Sequence, residues 1–299
     1  MKSPDLPVTR LQPLALLLTL LAFTTLAAAQ SRVECSAVRS TILKQRVRYC
    51  AILPPSYDKD PNRRYAVLYY LHGLGESEQA LTGPLWNLVE RVQQTGRIGE
   101  FLIVTPDADR SFYINSHDGR YRYEDFFMRE FIPAIDRKYR TRPQRASRGI
   151  SGTSMGGYGA LRLAFKYPSR FAAVSAHMAA LYEEVPQPVI DAVNQRGRRF
   201  HMGTIFGQPF DKAFYARNTP FALARANAAA IRRLKIYFDC GDQDDYAFDL
   251  GAEDLHKLLN SLKVKHEFHL YPGAHDPFYV AEHLPESLEF QSKALNAAP

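Results

Sequence analysis

From about residue 33 onward, short apolar runs alternate with longer amphipathic stretches. Residues 65–71 are apolar without interruption, the pattern of a strand covered on both faces. Residues 100–105, 148–151, 171–176 and 236–240 read the same way, and 266–270 reads as a last strand. Between them, helical spacing predicts helices over 80–95, 124–139, 155–167, 248–262 and 277–295. In the second of these, Phe127, Phe131, Ile132 and Ile135 share one face. Strand and helix in alternation predict an α/β fold: a mostly parallel central sheet with helices on both faces. Ahead of it, residues 33–38 and 46–53 read as a hairpin turning near 43–45. No internal repeat or low-complexity linker divides residues 30–299, which read as one domain.

One stretch breaks the alternation. Residues 177–232 carry Pro186, Pro188, Pro209 and Pro220 and show no clear elements, so they read as an irregular insertion near the active site. The insertion is rich in large apolar side chains, and Met178, Leu181, Phe206 and Phe214 are candidates for lining a substrate pocket. The alternative is that they only pack. Arg198, Arg199 and Arg217 are either solvated surface cations or partners for an acidic substituent.

Residues 1–29 are a separate object. Lys2 and Arg10 precede an apolar run over 14–26, and Ala27, Ala28 and Ala29 supply small residues for cleavage before Gln30. This is the pattern of a secretory signal peptide and implies a secreted or periplasmic protein. The run is short for a bilayer span of ~20 residues, and no Cys follows the cut, so neither a stable anchor nor a lipoprotein is expected. The net charge is +7, and loss of the leader would remove two cations and one anion. The Lys and Arg residues are scattered along the chain with no nucleic-acid motif beside them, so no nucleic-acid partner is expected. Of three cysteines, Cys35 and Cys50 would meet across the hairpin, leaving a disulfide open in an oxidising compartment, and Cys240 reads as a buried thiol. There is no metal-ligand spacing, and neither metal nor organic cofactor is implied.

The sharpest chemical signal is Gly152-Thr153-Ser154-Met155-Gly156-Gly157, between a strand and a helix. G-x-S-x-G in that setting is a nucleophile elbow, where small neighbours let the chain turn tightly enough to expose the serine. A serine hydroxyl needs a base, and the base an orienting acid, in the chain order Ser, acid, His. Of nine histidines, His275 lies in the loop 272–277 after the last strand, from which it can reach back over the sheet edge. The acid belongs after the strand 236–240, where Asp242, Asp244 and Asp245 compete. Gly241 three residues before Asp244 selects Asp244, and the other two are solvated acids or a helix cap. For a tetrahedral oxyanion, the backbone N–H groups of Met155 and of Leu74, in the loop His72-Gly73-Leu74-Gly75, are candidate donors. His72 reads as bonded within its own loop.

With these residues placed, the chain resembles the esterase D-like family of α/β-hydrolases, which includes S-formylglutathione hydrolases, feruloyl and tributyrin esterases and mycolyltransferases. The resemblance is carried by Leu71-His72-Gly73, Pro106-Asp107, Ser111-Phe112-Tyr113, Tyr123-Glu124-Asp125, Ser154 to Leu161, Phe206-Gly207, Asp239-Cys240-Gly241 and Pro272 to Asp276. It implies an α/β-hydrolase fold and hydrolysis of a small-molecule or polysaccharide-linked carboxylic ester through an acyl-enzyme on Ser154. It also supports Leu74 and Asp244 in the roles given. Pro277-Phe278-Tyr279 departs from the family's longer aromatic cluster after the histidine. An exported protein also fits poorly with a substrate built on the intracellular thiol glutathione. Two other functions share these residues: an acyltransferase with the same triad, and a non-catalytic binding protein on a hydrolase scaffold. Nothing in the sequence sets the oligomeric state.

Overall fold

The structure, a computed structural model, describes residues 31–196 and 202–295. The expected leader and Arg198 and Arg199 lie outside the described residues.

The apolar runs form the strands predicted for them. Strands β1 (Arg32–Arg39), β2 (Arg46–Leu53), β3 (Ala66–Leu71), β4 (Phe101–Pro106), β5 (Arg148–Thr153), β6 (Ala173–His177), β7 (Lys235–Gly241) and β8 (Glu267–Tyr271) make one eight-stranded sheet in the order β1-β2-β4-β3-β5-β6-β7-β8. From β4 to β8 every neighbouring pair is parallel, while β2 runs antiparallel to β4 and β1 to β2. Every residue of β3, β4 and β5 is buried, which explains why their sequences carry no alternation. This is the α/β architecture that the alternation predicts and the α/β-hydrolase fold that the resemblance implies. The parallel strands all end at one edge, and the loops leaving them converge there.

The helices depart from the sequence pattern where proline and length intervene. The first, α1 (Trp86–Gln94), starts later than its periodicity suggests. Pro84 lacks an amide donor, and the residues before it form turns, with Gly83 N–H bonded to Gln79 O. The next is three pieces, α2 (Tyr123–Phe126), a π-helical turn (Phe127–Phe131) and α3 (Ile132–Lys138), with Pro133 in the first turn of α3. Helices α4 (Met155–Lys166), α10 (Phe248–Ser261) and α11 (Pro277–Ala294) match expectation closely. The insertion interrupts the α/β rhythm as expected but is not formless. It contains α5 (Gln187–Arg196), α6 (Met202–Phe206), α7 (Lys212–Asn218), α8 (Pro220–Ala226) and α9 (Ala228–Ile231). Helices α6 to α9, of four to seven residues, complete too few turns to show a period. Asp211 and Thr219 cap α7 and α8 by accepting N–H bonds from Phe214 and Ala222. His177, the first residue of the expected insertion, is the last of β6.

Cys35 and Cys50 face each other in register across β1 and β2 and are joined by a disulfide, while Cys240 is a buried free thiol. The bond fastens an edge strand that buries little of itself. It closes a loop spanning 15 residues, worth about 3 kcal/mol of unfolded-state entropy. Reduction, or Cys35→Ser with Cys50→Ser, is expected to lower the calorimetric Tm by several degrees. An unchanged Tm would show that β1 contributes nothing to global stability.

Candidate active site

At the end of β5 the chain reverses into α4 at Ser154, whose backbone sits at φ 54° and ψ −116°. A side chain in that region carries strain of about 1–3 kcal/mol, held in place by its surroundings. Ser154 N–H donates to His177 O at 2.9 Å, and its carbonyl accepts from Ala180 N–H at 3.0 Å, tying the turn to the end of β6. A Cβ on Gly156 would overlap the Leu71 carbonyl, and one on Gly152 would overlap the backbone of Gly156. The glycines of the motif are therefore required by backbone meeting backbone.

The acid and the base arrive from the next two strand ends. Asp244 follows β7, is nearly closed to solvent, and accepts N–H bonds at Oδ1 from Tyr246 (2.9 Å) and Phe248 (3.3 Å). Its Oδ2 lies 2.7 Å from His275 Nδ1, and His275 Nε2 lies 2.9 Å from Ser154 Oγ. A carboxylate can only accept, so Nδ1 carries the proton and Nε2 is left to accept from the serine hydroxyl. Burial works to raise the Asp244 carboxyl, but the His275 bond and the two backbone donors outweigh it and hold it below the ordinary carboxylate range. The competing acids have other places. Asp245 is exposed. Asp242 accepts the Gly273 N–H at 3.1 Å, bonding the His275 loop to the acid loop. Asp276 caps α11 through Phe278 and Tyr279 N–H rather than holding His275.

The candidate oxyanion donors flank the serine. Met155 opens α4, where the first N–H groups have no intrahelical acceptor. The loop bearing Leu74 passes beside the nucleophile, since a Cβ on Gly73 would stand 3.6 Å from Ser154 Cβ. Glu76, which the sequence pattern did not single out, accepts the Gly73 N–H at 2.6 Å and folds this loop back on itself. His72 is wholly buried and bonded to Gly73 O (2.8 Å) and Ala108 N–H (2.9 Å), a loop clamp as read.

Known proteins resemble this chain over most of its described length. Residues 40–290 match the family described as "Putative esterase". The chain belongs to that esterase family. It is 28% identical over 243 residues to Esterase MT1326 and to Esterase Rv1288, both of Mycobacterium tuberculosis, covering 75% of this chain and 51% of theirs. It thus spans about half the length of these curated relatives. Among solved structures, a ferulic acid esterase superposes with TM-score 0.75 at 26% identity, over 89% of this chain and 99% of that one. The S-formylglutathione hydrolase of Agrobacterium tumefaciens shares the fold, with TM-score 0.71 at 17% identity over 90% and 97%.

Of the esterase's expected pocket residues, Met178, Leu181 and Phe206 are at most 2% exposed. Phe206 sits in a ring cluster with Phe112, Phe210 and Tyr215, and Phe214 is half-buried at its border against His117. Their surfaces are spent on packing the insertion onto the sheet. Exposed apolar side chains on the segments that carry the site include Leu74, Tyr246 and Phe278, at 50%, 56% and 82%. Tyr246 stands edge-on to His275, with ring centres 5.0 Å apart.

Beneath the site lies a second, closed Ser–His–Asp constellation that sequence reading missed. His177 Nδ1 is 3.0 Å from Asp239 Oδ1, His177 Nε2 is 2.7 Å from Ser287 Oγ, and Tyr279 Oη donates to Asp239 at 3.1 Å. Asp239, His177 and Ser287 are buried to 1% exposure or less, so no substrate reaches them. Their backbones serve the site above: His177 O receives Ser154 N–H, and the Tyr279 ring packs under Gly273, two residues before His275. An uncompensated buried carboxylate is costly, so Asp239 binds both strand ends and α11 to one arrangement. Tyr279→Phe, which removes one hydroxyl, is expected to lower kcat on the order of tenfold with KM unchanged, through a displaced His275. An equal loss in both constants would show instead a disturbed pocket. Phe206→Ala is expected to cost about 3–5 kcal/mol of stability in denaturant unfolding.

Proposed function

We propose that the protein is an exported serine carboxylesterase that works through an acyl-enzyme on Ser154. The observation that carries this reading is the unbroken contact from Ser154 Oγ to His275 Nε2 at 2.9 Å and from His275 Nδ1 to Asp244 at 2.7 Å. In the first step Ser154 Oγ attacks the ester carbonyl carbon as His275 Nε2 takes its proton. The negative charge on the carbonyl oxygen is met by the Met155 and Leu74 N–H groups, each worth about 3–4 kcal/mol to the transition state. Collapse expels the alcohol, which receives the proton from His275. Water, deprotonated by the same imidazole, then attacks the acyl carbon, and Ser154 leaves as the free hydroxyl. Asp244 keeps the imidazole in the tautomer that both halves require and balances its charge when protonated.

The substrate is a small-molecule or polysaccharide-linked ester. Leu74, Tyr246 and Phe278 give the mouth an apolar and aromatic rim. That rim suits an aromatic or other apolar acyl group, in keeping with the similarity to a ferulic acid esterase. Export is supported by the leader-like pattern of residues 1–29 and by the Cys35–Cys50 disulfide, which persists in oxidising compartments.

Ser154→Ala is expected to reduce p-nitrophenyl ester turnover by about 10⁴–10⁶ with an unchanged melting curve. An alanine variant retaining a tenth of the rate would refute the assignment. Asp244→Asn is expected to cripple turnover while Asp245→Asn stays near wild type, and the reverse ranking would move the acid by one residue.

A further inference from the structure

The sheet edge opposite the site gathers cations that are dispersed in sequence. The segments entering β5 and β7 carry Arg140, Arg142 and Arg145, and Arg232 and Arg233 with Lys235. Those entering β3, β6 and β8 carry Arg64, Arg170, and Lys263 with Lys265. These strands are parallel and adjacent in the order β3-β5-β6-β7-β8, so every one of these segments lies at the same edge. At a strand spacing of about 4.8 Å the row is about 19 Å wide.

Among the described residues, none of these ten cations forms an ion pair. Arg63, Arg148 and Arg32, which border the row, do pair, with Glu100, Asp136 and Asp58. Three of the arginines are held by carbonyl oxygens: Arg64 by Thr141 O (3.2 Å), Arg232 by Leu262 O (3.0 Å), and Arg145 by Pro168 O (2.9 Å) and Arg233 O (2.7 Å). A carbonyl fixes a guanidinium without neutralising it. Arg145, with Arg233 beside it, is pushed below the ordinary guanidinium value by burial and by that like charge. Glu267 is the acid that begins β8. The exposed aromatic side chains Tyr246 and Phe278 belong to the opposite edge, so among the described residues the cationic face has no exposed ring on which to stack a base.

We propose that this face docks the protein on the flat, anionic surface of a phospholipid leaflet, leaving the Ser154 edge turned toward solution. Six of the ten, Arg64, Arg232, Arg233, Lys235, Lys263 and Lys265, are exposed, and this row of positive charge complements the negative charge of a phosphate headgroup surface. The attachment is peripheral and electrostatic, which makes it dependent on salt and on anionic lipid.

The test is sedimentation of the full chain, as expressed, with vesicles of phosphatidylcholine alone or with a third phosphatidylglycerol. The proposal expects partition onto the anionic vesicles at least about tenfold stronger than onto neutral ones, falling to the neutral level in 0.5 M salt. Each cation near the surface contributes about a fivefold factor. The combined variant Arg232→Gln, Arg233→Gln, Lys235→Gln, Lys263→Gln is therefore expected to lose most of the preference for anionic vesicles and to bind close to the neutral level. Its hydrolysis of a soluble p-nitrophenyl ester stays at the wild-type rate, showing an intact fold. The salt titration of the unaltered protein stands as an independent measurement if the variant fails to fold. Equal binding to neutral and anionic vesicles would overturn the proposal. Retention by soluble polygalacturonate without vesicle binding would also overturn it and give the face to an anionic glycan.

Discussion

The turn from β5 into α4 can form only because no side chain stands at Gly152 or Gly156, where backbone lies directly against backbone. That close approach forces Ser154 into its strained conformation and leaves its hydroxyl standing clear of the sheet. The strain is offset by bonds to β6, through His177 O and Ala180 N–H. Because β6 and β7 are then pinned to α11 by the buried Asp239, His177, Ser287 and Tyr279 group, the same contacts that stabilise the elbow also fix the loop carrying His275. Stability and catalytic geometry here rest on one set of interactions, so the side chains beneath the site matter as much as those in it.

A parallel sheet also explains why the molecule has two chemically distinct edges. All strands from β4 to β8 point the same way, so every outgoing loop reaches the Ser154 edge and every incoming segment the other. Residues that must converge on a reacting atom collect at the first edge. At the second, no geometric demand of catalysis restrains charge, and ten cations collect there that, among the described residues, form no ion pair. Docking by that second face leaves the path of a soluble ester to Ser154 unobstructed.

Much of this was legible in sequence because it depends on local pattern. The buried strands showed as unbroken apolar runs, and Ser154, Asp244 and His275 each lie in a loop directly after a strand with a glycine nearby. The choice of Asp244 over Asp242 could be made from spacing, although only the structure shows Asp242 holding Gly273. What stayed hidden depends on distance in space. Asp239, His177 and Ser287 look like ordinary strand and helix residues until β6, β7 and α11 are brought together. The arginines looked scattered because the topology, not the sequence, assembles them. The helices α6 to α9 were missed because each is too short to establish a period, and α5 because it stands among the prolines Pro186 and Pro188 that read as loop. Phe206 stood as a pocket candidate with packing as the alternative because sequence cannot distinguish an apolar side chain lining a cavity from one filling it, and it is fully buried.

The central claim is that the acyl group passes through an ester on Ser154, and product partitioning tests it most directly. Two esters with the same acyl group and different leaving alcohols are hydrolysed in water containing methanol, and the ratio of methyl ester to free acid is measured. A shared acyl-enzyme has lost the leaving group before either acceptor attacks, so the ratio is expected to be identical for both substrates. A ratio that changes with the leaving group would mean that water and methanol attack the substrate itself, and would contradict the account.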